Sequence, residues 1–243
     1  MQTILILGAN SDIAKALAHE YAEHGYHLCL AVRNSERLDE DVHDLKIRYQ
    51  VEVQSLEFDA EDYASHEDFY HKLSPKPHGV IWAIGYLGDQ QQAQVDFEHA
   101  EMIVRANYLG AISILNIVAN DLESRKSGFI VGISSVAGDR GRQSNYIYGS
   151  AKAGLTAYLA GLRNRLYSSN VHVLTVKPGY VYTKMSSHLN LPPKLTAQPA
   201  DVAKDIFQAQ QKLKNILYTK WYWNFIMMIV KLIPEGIFKK LSL

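Results

Sequence analysis

Apolar runs of strand length recur along this chain, and between them the apolar positions fall three and four apart. The runs are TILILG (3–8), HLCLAV (27–32), VEVQSLEF (51–58), GVIWAIG (79–85), GFIVGIS (128–134) and HVLTVKPG (172–179). Mostly apolar on successive positions, with VEVQSLEF alternating, they suit strands of a parallel sheet. After the first run, apolar residues at 13, 14, 17, 18, 21 and 22 make one face of a helix over 13–23. Longer helical patterns occupy 97–122 and 149–168. Strands alternating with helices predict βαβ units: a Rossmann-type, doubly wound parallel sheet with helices on both faces. No repeat and no linker rich in Pro, Gly or Ser divides the chain, so a single domain over 1–243 is expected.

Composition acts mainly by exclusion. Twenty-five Lys+Arg offset 25 Asp+Glu, which leaves no electrostatic footprint for nucleic acid. The single Cys29 has no partner for an intrachain disulfide and sits in an apolar run, where core filling is the expected role. MQTILIL lacks the basic start of a signal peptide, and no stretch reads as about 20 consecutive apolar residues. A cytoplasmic protein is expected, with a reservation at 221–243 taken up below. No metal site is expected.

In an open parallel sheet, ligands bind beyond the carboxyl ends of the strands. Those ends here are Gly8 to Ala14, Val32–Arg33, Asp59–Ala60, Ala83–Gly85, Ser134–Ser135 and Pro178–Gly179. In GANSDIA (8–14), Gly8 permits a tight turn, Asn10 and Ser11 can bond the loop, and the helix that follows offers free N–H groups to a phosphate. Asp12 would repel a pyrophosphate in contact but is favourable as a helix cap, so a cap without ligand is the competing reading of the loop. A fold selective for NAD carries an acid at the end of the second strand for the ribose 2′-OH. Val32 and Arg33 stand there instead. An arginine can stack on adenine and pair with a 2′-phosphate, which favours NADP(H) over an exposed turn residue.

YGSAK puts Tyr148 and Lys152 four residues apart on one helix face. A phenol ionises near pH 10, and a neighbouring ammonium is expected to bring Tyr148 toward neutrality as a general acid/base. GISS ends a strand upstream and sets Ser135 where it can bond the same carbonyl oxygen.

With these residues in place, the chain resembles a classical short-chain dehydrogenase/reductase from its first strand to about position 185. GANSDIA, FDAED, IWAIG, RANYLG, GISSVAG, YGSAK and PGYVYTKM carry the resemblance in order and spacing. It implies Ser135 orienting the carbonyl, Tyr148 as proton donor, Lys152 as its electrostatic partner, and Asn107 holding a water for a proton relay. It implies Asp59 and Ala60 at the adenine and Thr183 near the nicotinamide carboxamide or the phosphates. Gly8, Asn10, Ser11, Asp12, Ile13, Ala83, Ile84, Gly85, Pro178, Gly179 and Val181 would follow the cofactor, which Tyr148 and Lys152 also touch. The chain departs from the family at Asp12 and Ala14, where glycine is usual, and at WAIG (82–85) in place of Asn-Asn-Ala-Gly. An acid plus Ile in the loop, with GYLGDQ (85–90), is similar to the reductases of decaprenyl-linked keto-pentose.

Past position 185 the resemblance thins. Residues 186–220 read as a substrate flap followed by a helix capped near Pro199. In 221–243, a helix from Trp221 to Ile233 would extend about 20 Å, short of a hydrocarbon core of roughly 30 Å. Apolar nearly all round and close to Lys220, Lys231, Lys239 and Lys240, it suits either a membrane interface at the inner face or a contact between subunits of a homodimer or homotetramer. The expected activity is NADP(H)-dependent reduction of a ketone to a secondary alcohol, on a hydrophobic or lipid-linked substrate. The alternatives are a soluble carbonyl reductase that uses the last helix to oligomerise, and a non-catalytic NADP-binding sensor.

Overall fold

The computed structural model describes residues 2–187 and 189–241. His188 of the predicted flap, Ser242 and Leu243 of the predicted apolar segment, and Met1 lie outside the described residues. The strands are β1 (Thr3–Leu7), β2 (His27–Val32), β3 (Val53–Glu57), β4 (Gly79–Trp82), β5 (Gly128–Ile133), β6 (Val171–Pro178), β7 (Tyr180–Val181), β8 (Thr196–Ala197) and β9 (Ile216–Thr219). The helices are α1 (Asp12–Glu23), α2 (Asp39–Tyr49), α3 (His66–Lys72), α4 (Gln90–Ala93), α5 (Phe97–Val104), α6 (Gly110–Arg125), α7 (Tyr146–Leu166), α8 (Pro199–Gln211), α9 (Tyr222–Leu232) and α10 (Glu235–Phe238).

The main sheet runs β3-β2-β1-β4-β5-β6-β9, all parallel. The strand order reverses between β1 and β4, and a crevice opens there at the carboxyl ends. All residues of β1 are buried, as its continuous apolar run requires. One face carries α1, α2 and α8, with Leu17, Leu45 and Ile206 in the core; the other carries α3, α6 and α7, with Tyr70, Leu115 and Leu159. This is the single-domain doubly wound fold that the alternating pattern predicts.

Three differences bear on the site. The six expected strands gain a seventh, β9, which lies within the predicted flap and pairs with the end of β6. A second small sheet, β7 with β8, folds the flap back across residues 180–197. The pattern over 97–122 is one continuous helix, Phe97–Arg125, interrupted by a π turn at Arg105–Leu109. By length and composition this helix could cross a membrane, but Ala111, Ile114, Leu115, Val118 and Leu122 are fully buried under the sheet. It is a core helix.

Candidate active site

Two adjoining cavities occupy the crevice. One, of ≈ 660 Å³, lies over the ends of β1, β2 and β3. The other, of ≈ 320 Å³, lies over β5, β6 and the start of α7. Asn10, Ser11, Ala83, Ile84 and Gly85 line both. Every catalytic or cofactor-binding residue expected from the sequence lines one or both cavities, except Asn107.

Gly8 turns at φ +86°, and its N–H donates to the Ala31 carbonyl at 2.9 Å. A Cβ on it would lie 2.6 Å from the Ile84 side chain, so only glycine lets the loop cross the end of β4. Ser11 is the N-cap of α1, its hydroxyl accepting from the Ala14 N–H at 3.3 Å. The cap expected of Asp12 is therefore made by Ser11. The Asp12 carboxylate instead accepts from the backbone N–H of Lys184 at 2.6 Å, tying the phosphate loop to the segment after β7. That segment closes on itself through a capping box between Thr183 and Ser186.

Arg33 lines the first cavity together with Arg37, a residue the sequence reading missed. One turn of 3-10 helix at Ser35–Leu38 brings Arg37 to the same wall. The ERL pattern gives no hint of this, since the turn depends on the β2–α2 connection. Opposite, His66 is fully buried and bonds both the Ser113 hydroxyl at 2.8 Å and the Asp59 carbonyl at 2.9 Å, which fixes the backbone of Asp59–Ala60.

In the second cavity, two adjacent serines divide their roles by strand alternation. Ser134 is buried and bonds the Lys152 carbonyl at 2.9 Å and Thr156 at 2.7 Å, which docks α7. Ser135 lines the cavity beside Tyr148. Lys152 is buried and donates to the Ile133 carbonyl at 3.1 Å. Its amine lies 5.7 Å from the centre of the Tyr148 ring.

Burial pushes the Tyr148 phenol up to about 12, and the Ser135 hydroxyl acts to lower it. Burial pushes Lys152 down to about 7. In this geometry the amine lies over the face of the ring and donates to a carbonyl.

Asn107 lies on the π turn and is fully buried. Its amide donates to Tyr86 O at 2.6 Å and to Ile103 O at 2.8 Å, and accepts from Tyr86 N–H at 3.2 Å. All of these bonds are to protein backbone, and they tie the π turn to the segment at Tyr86. A Cβ on Gly85 would lie 3.3 Å from Asn107 Oδ1 and 3.4 Å from Lys152 Nζ, so this glycine leaves room where the two side chains meet.

The far wall comes from late in the chain. A Cβ on Gly179 would lie 1.9 Å from the Trp223 indole, and Trp223 packs edge-on against Tyr180 with ring centres 5.2 Å apart. Behind the Ser135 turn, Asp139 is buried in an ion pair with Lys177 at 2.5 Å and accepts from the Tyr218 hydroxyl at 2.7 Å, linking that turn to β6 and β9.

The donor set fits a phosphorylated dinucleotide. At one end stand two arginines with no oxygen partner among the described residues, and at the other a buried amine with one carbonyl acceptor and N–H groups to spare. The family model described as short chain dehydrogenase matches residues 2–194. An uncharacterized oxidoreductase of Mycobacterium tuberculosis is 33% identical over 242 residues, 98% of this chain and 96% of the relative. Among solved structures, a short-chain dehydrogenase from Sphingobium yanoikuyae in complex with NADPH superposes with a TM-score of 0.84 at 22% identity, covering 97% of this chain and 98% of the other. The bulky-bulky ketone specific alcohol dehydrogenase from Comamonas testosteroni gives 0.82 at 20% identity, with 99% and 95% covered.

Proposed function

The chain belongs to the short-chain dehydrogenase family and is an oxidoreductase, and from that premise we propose that it reduces a ketone to a secondary alcohol with NADPH. The observation that carries the cofactor is the pair Arg33 and Arg37, set where an acid would otherwise hold a ribose hydroxyl. The Sphingobium neighbour, solved with NADPH, supports the same choice.

When bound, NADPH supplies the hydride that reaches the carbonyl carbon. Tyr148, kept protonated by burial, gives its proton to the carbonyl oxygen, and Ser135 holds that oxygen by a hydrogen bond. The negative charge then left on the phenol is stabilised by Lys152, whose amine lies 5.7 Å from the ring centre. Asn107 acts at one remove, by fixing the backbone of Tyr86 beside the cleft. A non-catalytic sensor would have no use for this acid.

The substrate is hydrophobic in this reading, since Leu87, Val136, Tyr180, Met185 and Leu189 wall the second cavity. A lipid-linked keto-sugar is one candidate, in keeping with the loop's resemblance to the decaprenyl-linked reductases. The outer face of α9, with Trp221, Phe225, Ile229 and Leu232 exposed, supports delivery at a membrane surface. A second copy of the chain is the alternative cover. Flotation on anionic liposomes that disappears with F225E/I229E selects the membrane; a dimer-to-monomer change without flotation selects the second copy.

Fluorescence titration with NADPH and NADH tests the cofactor. Arg33→Ala and Arg37→Ala are each expected to weaken NADPH about tenfold or more and to leave NADH within threefold. Equal binding of the two cofactors by the unaltered protein would overturn the assignment.

A further inference from the structure

The chain has nine arginines, and their partners sort them into two groups. Six have an oxygen partner: Arg48 on Asp44, Arg105 on Glu61, Arg125 on Asp121, Arg140 on the carbonyls of Val230 and Ile233, Arg163 on the Val173 carbonyl, and Arg165 on Glu123. The remaining three, Arg33, Arg37 and Arg142, have no oxygen partner among the described residues, and all three line the cleft. A guanidinium is permanently charged and offers five N–H donors in a fixed fork. Three such forks left open on one cleft mark three places where an acceptor arrives from outside.

Two of the three stand at the adenosine end, where the proposed cofactor carries its extra phosphate. Arg142 stands at the other end, in the cavity of Tyr148 and Ser135. Its one side-chain hydrogen bond among the described residues is to the Met227 sulfur at 3.3 Å, and a thioether is a weak acceptor that leaves the charge unanswered. The comparison with Arg140, two residues earlier, is direct. Arg140 is used by the fold: it bonds two carbonyls and Glu235 and lies 3.6 Å from the centre of the Phe238 ring. Arg142 gives one N–H to Met227 of α9 and leaves its other donors without a partner among the described residues. The cavity's only lining carboxylate among the described residues, Asp12, is engaged by the Lys184 N–H. Asn145, also on the wall, has a buried side-chain oxygen without a partner.

We infer that Arg142 receives an anionic group of the substrate, a carboxylate or a phosphate, separated from the reacting ketone by an apolar stem. The inference rests on the ketone-reductase reading above and narrows its substrate to an amphiphilic anion. A fatty keto acid and a lipid phosphate present the same chemistry to this guanidinium.

The test uses the full chain with NADPH and three matched ketones: a medium-chain keto carboxylate, its methyl ester and the corresponding keto-alkyl phosphate, each in several chain lengths. At the best length, one or both anions are expected to exceed the ester in kcat/KM by about thirtyfold. The better anion identifies the source, fatty acid or lipid phosphate. In Arg142→Gln the ratio of anion to ester should fall below threefold, and Arg142→Lys should retain part of it. An ester reduced as well as both anions by the unaltered protein overturns the inference without any variant, and so does a ratio that survives in Arg142→Gln. If no ketone is turned over, the reductase reading falls on its own, and calorimetric titration of the same three compounds into NADP+-saturated protein decides Arg142 separately. Anion binding that is lost in Arg142→Gln upholds it; equal binding of anion and ester, or binding by neither, overturns it.

Discussion

The two ends of the cleft are built by different means. The adenosine end is made of strand termini in fixed register: Gly8 after β1, Arg33 after β2, Asp59 and Ala60 after β3. Each follows its strand by one to three residues, so the sheet itself sets its position. The substrate end is assembled from segments far apart in the chain: the turn around Asp139, the loop carrying Arg142, the strip 180–189, and α9 through Trp223 and Met227. A register holds the first end, and side-chain contacts hold the second. The first should therefore tolerate changes elsewhere, while the second should answer to residues that never touch the substrate.

The sharpest division comes from Tyr148→Phe. It should lower kcat at least a thousandfold while the NADPH Kd stays within threefold, read by single-turnover kinetics and fluorescence titration. Lys152→Met cuts at the junction of the two ends, with a loss of a hundredfold or more expected in kcat. Its stability should move the other way. Lys152 is pushed down to about 7 in the folded protein, whereas an unfolded lysine holds its proton to about 10.4. Between those values the unfolded chain binds the extra proton, so stability of the ligand-free protein rises with pH through that window. Lys152→Met should remove the slope and raise Tm at pH 7 by about 3–8 °C, as calorimetry against pH would read.

Gly179→Ala probes the packed end through packing alone. The new methyl meets Trp223, α9 must shift, and a loss of about 1–3 kcal/mol in urea denaturation is expected. The ketone KM should rise about tenfold with little change for NADPH; an equal rise in both would erase the distinction between the two ends. Asp12→Ala, the mildest, releases the bond that joins them. The NADPH Kd should weaken by about threefold as the 183–186 turn loses its anchor. A tighter Kd would mean that repulsion between Asp12 and the phosphates outweighs that anchor.

The same division explains what could be read from the chain. The strands β1, β2 and β4 to β6 were legible because buried parallel strands are largely apolar runs, β3 from its alternating VEVQSLEF, and the strand-end residues followed from them by rule. Ser135, Tyr148 and Lys152 were legible because one strand end and one helix face carry them. β9 was not: ILYT is four residues with an apolar run of only three, and its place is set by pairing with β6. Arg37 depends on a turn of 3-10 helix, and the pair Asp139–Lys177 brings together residues 38 apart in sequence. The C-terminal apolar segment was recognised, but its two faces were not separable by pattern. Trp223 and Met227 are buried against the domain, while Trp221 and Phe225 are exposed. Asn107 was legible from RANYLG, but the backbone bonds that its amide makes appear only in three dimensions.

The π turn at Arg105–Leu109 also bears on which deletions the protein can accept. Such a turn is an α-helical turn with one residue too many, so shortening the segment by one would give an unbroken, locally more regular helix. Everything on one side would then rotate by about 100° relative to the other, and Asn107 could no longer face Tyr86 while α6 kept its buried face on the sheet. Among single-residue deletions, one inside this turn would relieve the helix and disarm the cleft. A relative lacking that residue would keep the fold and should have lost, or rebuilt, the 85–87 edge.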